Sequence, residues 1–160
     1  MKDPAGVRTI GVISDTHGLL RPEAIEALRE VELIIHAGDI GKAEVLKRLR
    51  EIAPVCAVRG NIDDGRWARE LRQEEIARIG STAIHVVHDL GRMNIDPFAG
   101  GIRVVVYGHS HRPSVEERQG VLFLNPGSAG PKRFRLAVTL AYLRIGGENE
   151  ARGEIIRLVG

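Results

Sequence analysis

The first sixty residues alternate in a way that few folds permit. Short apolar runs at residues 8–14, 33–37 and 55–58 are separated by two segments of helical spacing. In the first, Pro22 opens a helix over residues 22–30, with Ala24, Ile25 and Leu28 on one face. In the second, over residues 42–51, Val45, Leu46, Leu49 and Ile52 make an apolar stripe. Strand, helix, strand, helix, strand predicts a parallel sheet with right-handed crossovers.

Beyond residue 60 the pattern changes. Residues 63–71 are polar and partly helical, and the remainder is mainly strand. Runs at 76–79 and 82–87 flank a Gly80-Ser81 turn, residues 89–101 have loop composition, and 102–107 is strongly apolar. Two more pairs follow, 114–118 with 121–124 around Gln119-Gly120, and 136–145 with 153–158 around residues 146–149. That is more strand than one sheet holds beside so few helices, so two sheets packed face to face with helices outside are expected. At 160 residues the chain, positions 1–160, fits a single domain with a proper core.

Composition narrows the function classes. Net charge is only +2, and basic and acidic residues are interleaved, as in Arg69-Glu70-Leu71-Arg72. Aromatic residues make up 4%, too few for the stacking platforms of a single-strand nucleic-acid binder. No dedicated nucleic-acid binding is expected, while a nucleotide substrate stays open. The lone Cys56, inside the apolar run Val55-Cys56-Ala57-Val58, cannot form an internal disulfide and suits a reducing compartment. Lys2-Asp3-Pro4 leads directly into a strand with no secretory signal, and no apolar run reaches membrane-spanning length. The expectation is a cytoplasmic protein that makes no membrane contact, with homo-oligomerisation left open.

Chemistry-bearing residues fall where strands end. The first three runs end in Asp15-Thr16-His17, Gly38-Asp39 and Gly60-Asn61; the fifth and sixth end in His88 and in Gly108-His109-Ser110-His111. Ligands of open α/β sheets bind beyond the carboxyl ends of strands. If strand geometry continues, Asp15 and His17 share a face, as do His109 and His111 with Ser110 turned away. Carboxylate, amide and imidazole without thiolate suit Mn, Fe, Zn and related divalent ions. Seven such groups exceed the needs of one ion. Two ions about 3.5–4 Å apart, bridged by one carboxylate, would stabilise both oxygens of a phosphoryl displacement.

These blocks resemble those of the calcineurin-like metallophosphoesterases, and within them the small one-domain YfcE-type phosphodiesterase branch. Asp-x-His, Gly-Asp, Gly-Asn, a lone His and Gly-His-x-His stand here in that order over nearly the whole chain. The resemblance implies a four-layer α/β/β/α sandwich with two mixed β-sheets. It implies that Asp15, His17, Asp39 and His111 hold one metal, that Asp39, Asn61, His88 and His109 hold the other, and that Asp39 bridges. Asp39, Asn61 and His109 are the catalytic candidates. The implied activity is hydrolysis of a small phosphate ester, a diester first of all, by a water or hydroxide held between two divalent ions. Mn2+ is the first choice, with Ni2+, Fe2+, Zn2+ and Mg2+ as alternatives.

Two positions depart from the family. Ile62 follows Asn61 where many relatives carry a His that protonates the leaving group, and Asp89 follows His88 where Gly is usual. His36 and His85 lie inside strands and read as structural, with His36 a candidate support for the site. Asn125-Pro126-Gly127-Ser128 resembles a family loop near the site, and Lys132-Arg133-Phe134-Arg135 reads first as a solvated basic turn. The competing reading is a non-catalytic interaction scaffold like the retromer sorting subunit; such a protein would normally have lost ligands. A nuclease would need an added binding domain or a basic groove.

Overall fold

The computed structural model describes residues 6–133 and 135–159; the Lys2-Asp3-Pro4 start and Phe134 lie outside the described residues. The chain first lays down three parallel strands, β1 (Arg8–Ile13), β2 (Leu33–His36) and β3 (Val55–Ala57). A second sheet follows from β4 (Glu74–Ile79), β5 (Thr82–Val87), β6 (Ile102–Val106), β7 (Ser114–Arg118) and β8 (Val121–Asn125). The chain then returns to the first sheet with β9 (Val138–Ile145) and β10 (Ala151–Val159). The strand orders are β10-β9-β1-β2-β3 and β4-β5-β6-β8-β7. Both sheets are mixed. In the second, β5, β6 and β8 are parallel while β4 and β7 pair antiparallel at the edges.

Alternation along the strands builds the core. Ile10 and Val12 of β1 face inward with Ile35 of β2 to meet Ile84, Val86, Val104, Val106 and Leu124 of the second sheet. Ile13 and Ile34 face outward, where Leu28 beside α1 (Pro22–Ala27) and Val45, Leu46 and Leu49 of α2 (Ala43–Arg50) cover them. Each such buried side chain contributes roughly 1.5–3 kcal/mol, which holds these layers together. α1 stops at Ala27, short of residue 30. The Leu28 amide already divides between the Ala24 and Ile25 carbonyls, and Arg29 and Val31 bond three residues back, tightening the chain towards β2.

The outer face of the second sheet has a different cover. Val87, Val105 and Phe123 lie under Leu90 and Met93, from the segment around a single 3-10 turn, Leu90–Arg92. Residues 89–101 therefore supply the outermost layer on that side, and the remaining helix, α3 (Arg66–Arg69), buries Ala68 and packs Trp67 against the first sheet's outer cluster. Cys56 is unpaired, and burial followed by the nearby Glu75 pushes its thiol up to about 11, so it stays protonated and unreactive at neutral pH. Among the described residues no helix is long and apolar enough to cross a membrane.

Candidate metal centre

Side chains from loops that leave the carboxyl ends of β1, β2, β3, β5 and β6 converge at one end of the sandwich. They do so by a route that strand alternation does not anticipate. β1 ends at Ile13 and β6 at Val106, and Asp15 (φ 54), His17 (φ 47), Asp39 (φ 56), His109 (φ 74) and His111 (φ 64) all adopt the left-handed conformation. The expected strand geometry at Asp15-Thr16-His17 and at His109-Ser110-His111 is thus replaced by tight turns. Left-handed backbone is uncommon outside glycine, with Asp, Asn and His the most tolerant residues. Backbone bonds hold the turns: Asp15 and His17 amides donate to the Gly38 and Asp39 carbonyls at 3.0 Å, and the Gly108 amide donates to the His88 carbonyl at 3.0 Å. Gly60 has to be glycine, because a Cβ there would lie 2.1 Å from the Asp39 backbone nitrogen.

Asp15 is fully buried and its two oxygens differ. Oδ2 accepts from Ser14 Oγ at 2.6 Å and from the His109 amide at 3.2 Å. Oδ1 has no hydrogen-bond partner and faces His111 Nε2 at 3.3 Å, His17 Nε2 at 3.9 Å and His88 Nε2 at 4.0 Å. His17 and His111 place their Nε2 atoms 3.4 Å apart. Asp39 Oδ2 lies 3.3 Å from His88 Nε2 and 3.9 Å from His17 Nε2, so it reaches both sides of the cluster. Two groups of candidate ligands result, Asp15 with His17 and His111, and Asp15 with Asp39 and His88. Asp15 is common to both, alongside the Asp39 that the family resemblance makes the bridge.

The donor chemistry fits a cation. His88 Nδ1 donates to the Ala37 carbonyl at 2.7 Å, which leaves Nε2 aimed at Asp39 Oδ2 and at Asn61 Oδ1, 3.0 Å away. With the Asn61 oxygen so placed, three acceptor atoms meet at one point, an arrangement that a proton or a metal ion would satisfy. Burial works to lower the His88 pKa, but the bond to Asp39 and the charges of Asp15 and Asp39 outweigh it and hold the imidazole above its ordinary range. Burial pushes the Asp39 carboxyl up, yet His88 and the Ile62 amide, 3.1 Å from Oδ1, bring it below the usual range. His17 is pushed down by burial against the opposing pull of Asp39 and Asp15, with Arg133 and His111 adding to the downward effect. Its ring is accordingly a neutral donor. Turned with its nitrogen inward, the Asn61 amide donates instead to both Asp39 oxygens at 3.2 Å and to His88 Nε2 at 3.0 Å, the arrangement that satisfies the groups without an ion.

Behind these groups stand residues that face no ligand position. His36 is fully buried; its Nδ1 accepts from the Gly38 amide at 3.1 Å, so Nε2 carries the proton given to Thr16 Oγ1 at 3.0 Å, and Thr16 passes its own to the Ile40 carbonyl at 2.9 Å. That chain ties the Asp15–His17 turn to the Asp39 turn, a supporting position of the kind its strand placement suggested. Asp63 is a residue sequence reasoning missed as a support. Its carboxylate accepts from the Gly41 amide at 2.9 Å and the Gly60 amide at 2.8 Å, joining the turns after β2 and β3. Its fixed place after Gly60-Asn61 was the one signal available.

The Asn125–Ser128 loop has its donors engaged internally: the Gly127 amide bonds Asn125 Oδ1 at 2.9 Å, and Ser128 Oγ bonds the Asp15 carbonyl at 2.8 Å. Asn125 Nδ2 holds the Gly108 carbonyl and Ser110 Oγ at 3.1 Å, so the loop braces the centre and offers no free donor from those groups. Asp89 needs no glycine, being extended at φ -121 and capping the 3-10 turn through the Gly91 amide. His85 is buried against Glu74 at 3.1 Å, a structural pairing. Asn61 and His109 are exposed, and with His88 they open onto a cavity of about 250 Å3. His109 sets its ring edge-on to His88, with centroids 5.3 Å apart. Ile62, the residue after Asn61, is 45% exposed and carries nothing that can donate a proton.

Comparison with known proteins identifies the family and the fold. The calcineurin-like phosphoesterase superfamily domain matches residues 9–148. The chain is 36% identical over 160 aligned residues to a probable metallophosphoesterase of Methanothermobacter thermautotrophicus, covering 92% of this chain and 91% of that protein. It is 32% identical over 136 residues to a phosphodiesterase of Methanocaldococcus jannaschii, covering 74% of this chain and 82% of that one. Among solved structures, Vps29 of Entamoeba histolytica in complex with zinc shares the fold, with a TM-score of 0.70, 22% identity, and coverage of 94% of this chain and 99% of that one.

Proposed function

Because this chain belongs to the calcineurin-like phosphoesterase superfamily, we propose that it is a phosphodiesterase that works with two divalent metal ions, Mn2+ first among them, on a small phosphate ester. In this reading Asp15, His17, Asp39 and His111 hold one ion, and Asp39, Asn61, His88 and His109 hold the other. The observation that carries the reading is Asp15 Oδ1, buried without a hydrogen-bond partner and facing three imidazole nitrogens. Leaving a buried carboxylate oxygen unpaired costs several kcal/mol unless a cation sits there. The ions, when bound, supply a water of lowered pKa and an electrophilic clamp on the phosphoryl oxygens.

The protein's own part is to hold that arrangement. Ser14 and the His109 amide fix the Asp15 carboxylate, Ala37 fixes the His88 tautomer, and the His36 and Asp63 bonds hold the turns in register. Asn61 and His109, on the open side, touch the substrate in this reading. Ile62, next to Asn61, donates no proton to the departing oxygen, which favours esters of acidic alcohols. The likeness to Vps29 supports a second reading, a scaffold of the same fold with little or no catalysis.

Stripping the protein of metal, restoring Mn2+, Ni2+, Zn2+ or Mg2+ singly, and assaying mono- and diesters separates the two. Diester hydrolysis should depend on added metal and fall at least a hundredfold in Asp39→Asn. Activity that survives chelation, or is untouched by that substitution, overturns the reading. Metal-loaded protein that hydrolyses nothing across a broad panel is the scaffold.

A further inference from the structure

The cavity beside Asn61, His88 and His109 also carries charge that the chemistry at the metal centre does not use. Four charged residues line it, Arg59, Glu74, Asp89 and Arg92. Three of them have partners. Glu74 accepts from His85 at 3.1 Å and from the Asn94 amide and side chain at 2.9 Å and 3.1 Å. Asp89 accepts from the Gly91 amide and has Arg92 Nε at 4.0 Å. Arg59 is half-buried, and its guanidinium makes no hydrogen bond or ion pair among the described residues. A guanidinium carries five N–H donors and keeps its charge at any physiological pH, so one that lines a cavity without a protein acceptor is free to take an anion.

The root of this side chain is fixed relative to the centre. The Arg59 amide donates to the Arg72 carbonyl at 2.9 Å, and the next amide, Gly60, is held by Asp63 at 2.8 Å. Gly60 in turn packs directly on Asp39. Arg59 therefore stands at a set offset from the place where the scissile phosphate is proposed to sit. That phosphate is already neutralised by the metal side, so a cation further along the cavity matches a second anion. Planar, bidentate donors select phosphate. At about 250 Å3 the cavity falls just below the usual range of about 300–1,000 Å3 for ligand sites and has room for a phosphorylated sugar or alcohol.

We infer that Arg59 binds a second phosphate group carried by one of the two alcohols of the ester, so that the preferred substrates are phosphodiesters bearing an additional phosphate monoester. The inference rests on the phosphodiesterase reading for its substrate class, while the anion site itself stands on the cavity and the unpaired guanidinium.

The test compares thymidine 5′-(p-nitrophenyl phosphate) with the same ester carrying a 3′-phosphate, on metal-loaded protein. The 3′-phosphorylated ester should have a kcat/KM about tenfold higher, the worth of one charge-assisted pair. In Arg59→Ala the ratio between the two esters should fall to near one, and Arg59→Lys should keep part of it. In parallel, calorimetry should find thymidine 3′,5′-bisphosphate binding about tenfold more tightly than thymidine 5′-monophosphate, with the difference lost in Arg59→Ala. A ratio near one in the wild type, or a preference that survives Arg59→Ala, overturns the inference. If neither ester is hydrolysed, the phosphodiesterase reading falls, and the calorimetric comparison still decides the role of Arg59.

Discussion

At His36 burial and hydrogen bonding act on the same ring. Burial, opposed only in part by Asp15, lowers its pKa from 6.5 to about 3, and both ring nitrogens are engaged. The unfolded chain takes up a proton near pH 6.5 that the folded one refuses until about 3, so this stability is fully present above 6.5 and lost as pH falls through that window. Urea unfolding between pH 6.5 and 4.5 should therefore lose about 1.4 kcal/mol per pH unit more than in His36→Gln. Ile62 makes a second prediction. Wild type should hydrolyse p-nitrophenyl diesters far faster than alkyl diesters, and Ile62→His should raise kcat on alkyl esters by about a hundredfold; equal rates on both ester types in wild type would remove the argument. That Asp15, His17, Asp39, His88 and His111, which the fold draws together, stand just past apolar runs was legible in the sequence. The left-handed backbone of Asp15, His17, Asp39 and His111 was not, because Asp and His occur in extended and in left-handed conformations alike, and only packing decides.

Among elements, the turns after β2 and β3 are one unit, stitched by Asp63. Asp63→Ala leaves the buried Gly60 amide and the half-buried Gly41 amide without partners. Stability should fall by about 2–6 kcal/mol, at roughly 1–3 for each unmet donor. Mn2+ affinity should drop at least tenfold, as seen when supports behind ligands are removed, with Asp63→Asn intermediate. Denaturant unfolding and metal titration read the two effects separately. A loss of stability with metal affinity unchanged would mean that the stitch serves the fold alone. Strands and α2 were legible because apolar runs stop at glycine or a charged residue and because Val45, Leu46 and Leu49 repeat at helical spacing. The cover formed by residues 89–101 was not, since Leu90 and Met93 reach the second sheet from a segment without periodicity.

At the scale of the whole molecule, the centre sits on the seam between the two sheets. Asp15, His17, Asp39 and Asn61 leave the first sheet, and His88, His109 and His111 leave the second. A metal held by this set would tie the sheets together, and at a hundred times its Kd it should add about 2.7 kcal/mol of stability. For a chain of this size that raises Tm by about 5–10 °C, which calorimetry with and without Mn2+ can read. A Tm indifferent to metal would show that ions do not bind across the seam. The two-sheet architecture was legible from the strand count; the meeting of the two halves was foreseeable only through the order of the motif blocks, because no local pattern encodes which loops share an end.

The left-handed residues at that seam have an evolutionary reading. Each of Asp15, His17, Asp39, His109 and His111 occupies backbone that glycine would hold about 1 kcal/mol more cheaply. His109→Gly, at an exposed position, should accordingly raise the stability of metal-free protein while activity is lost. A lineage that had abandoned catalysis would drift towards such relaxed replacements one at a time. None of the five is glycine here, so the metal-free chain carries a standing cost in stability that a bound ion would offset.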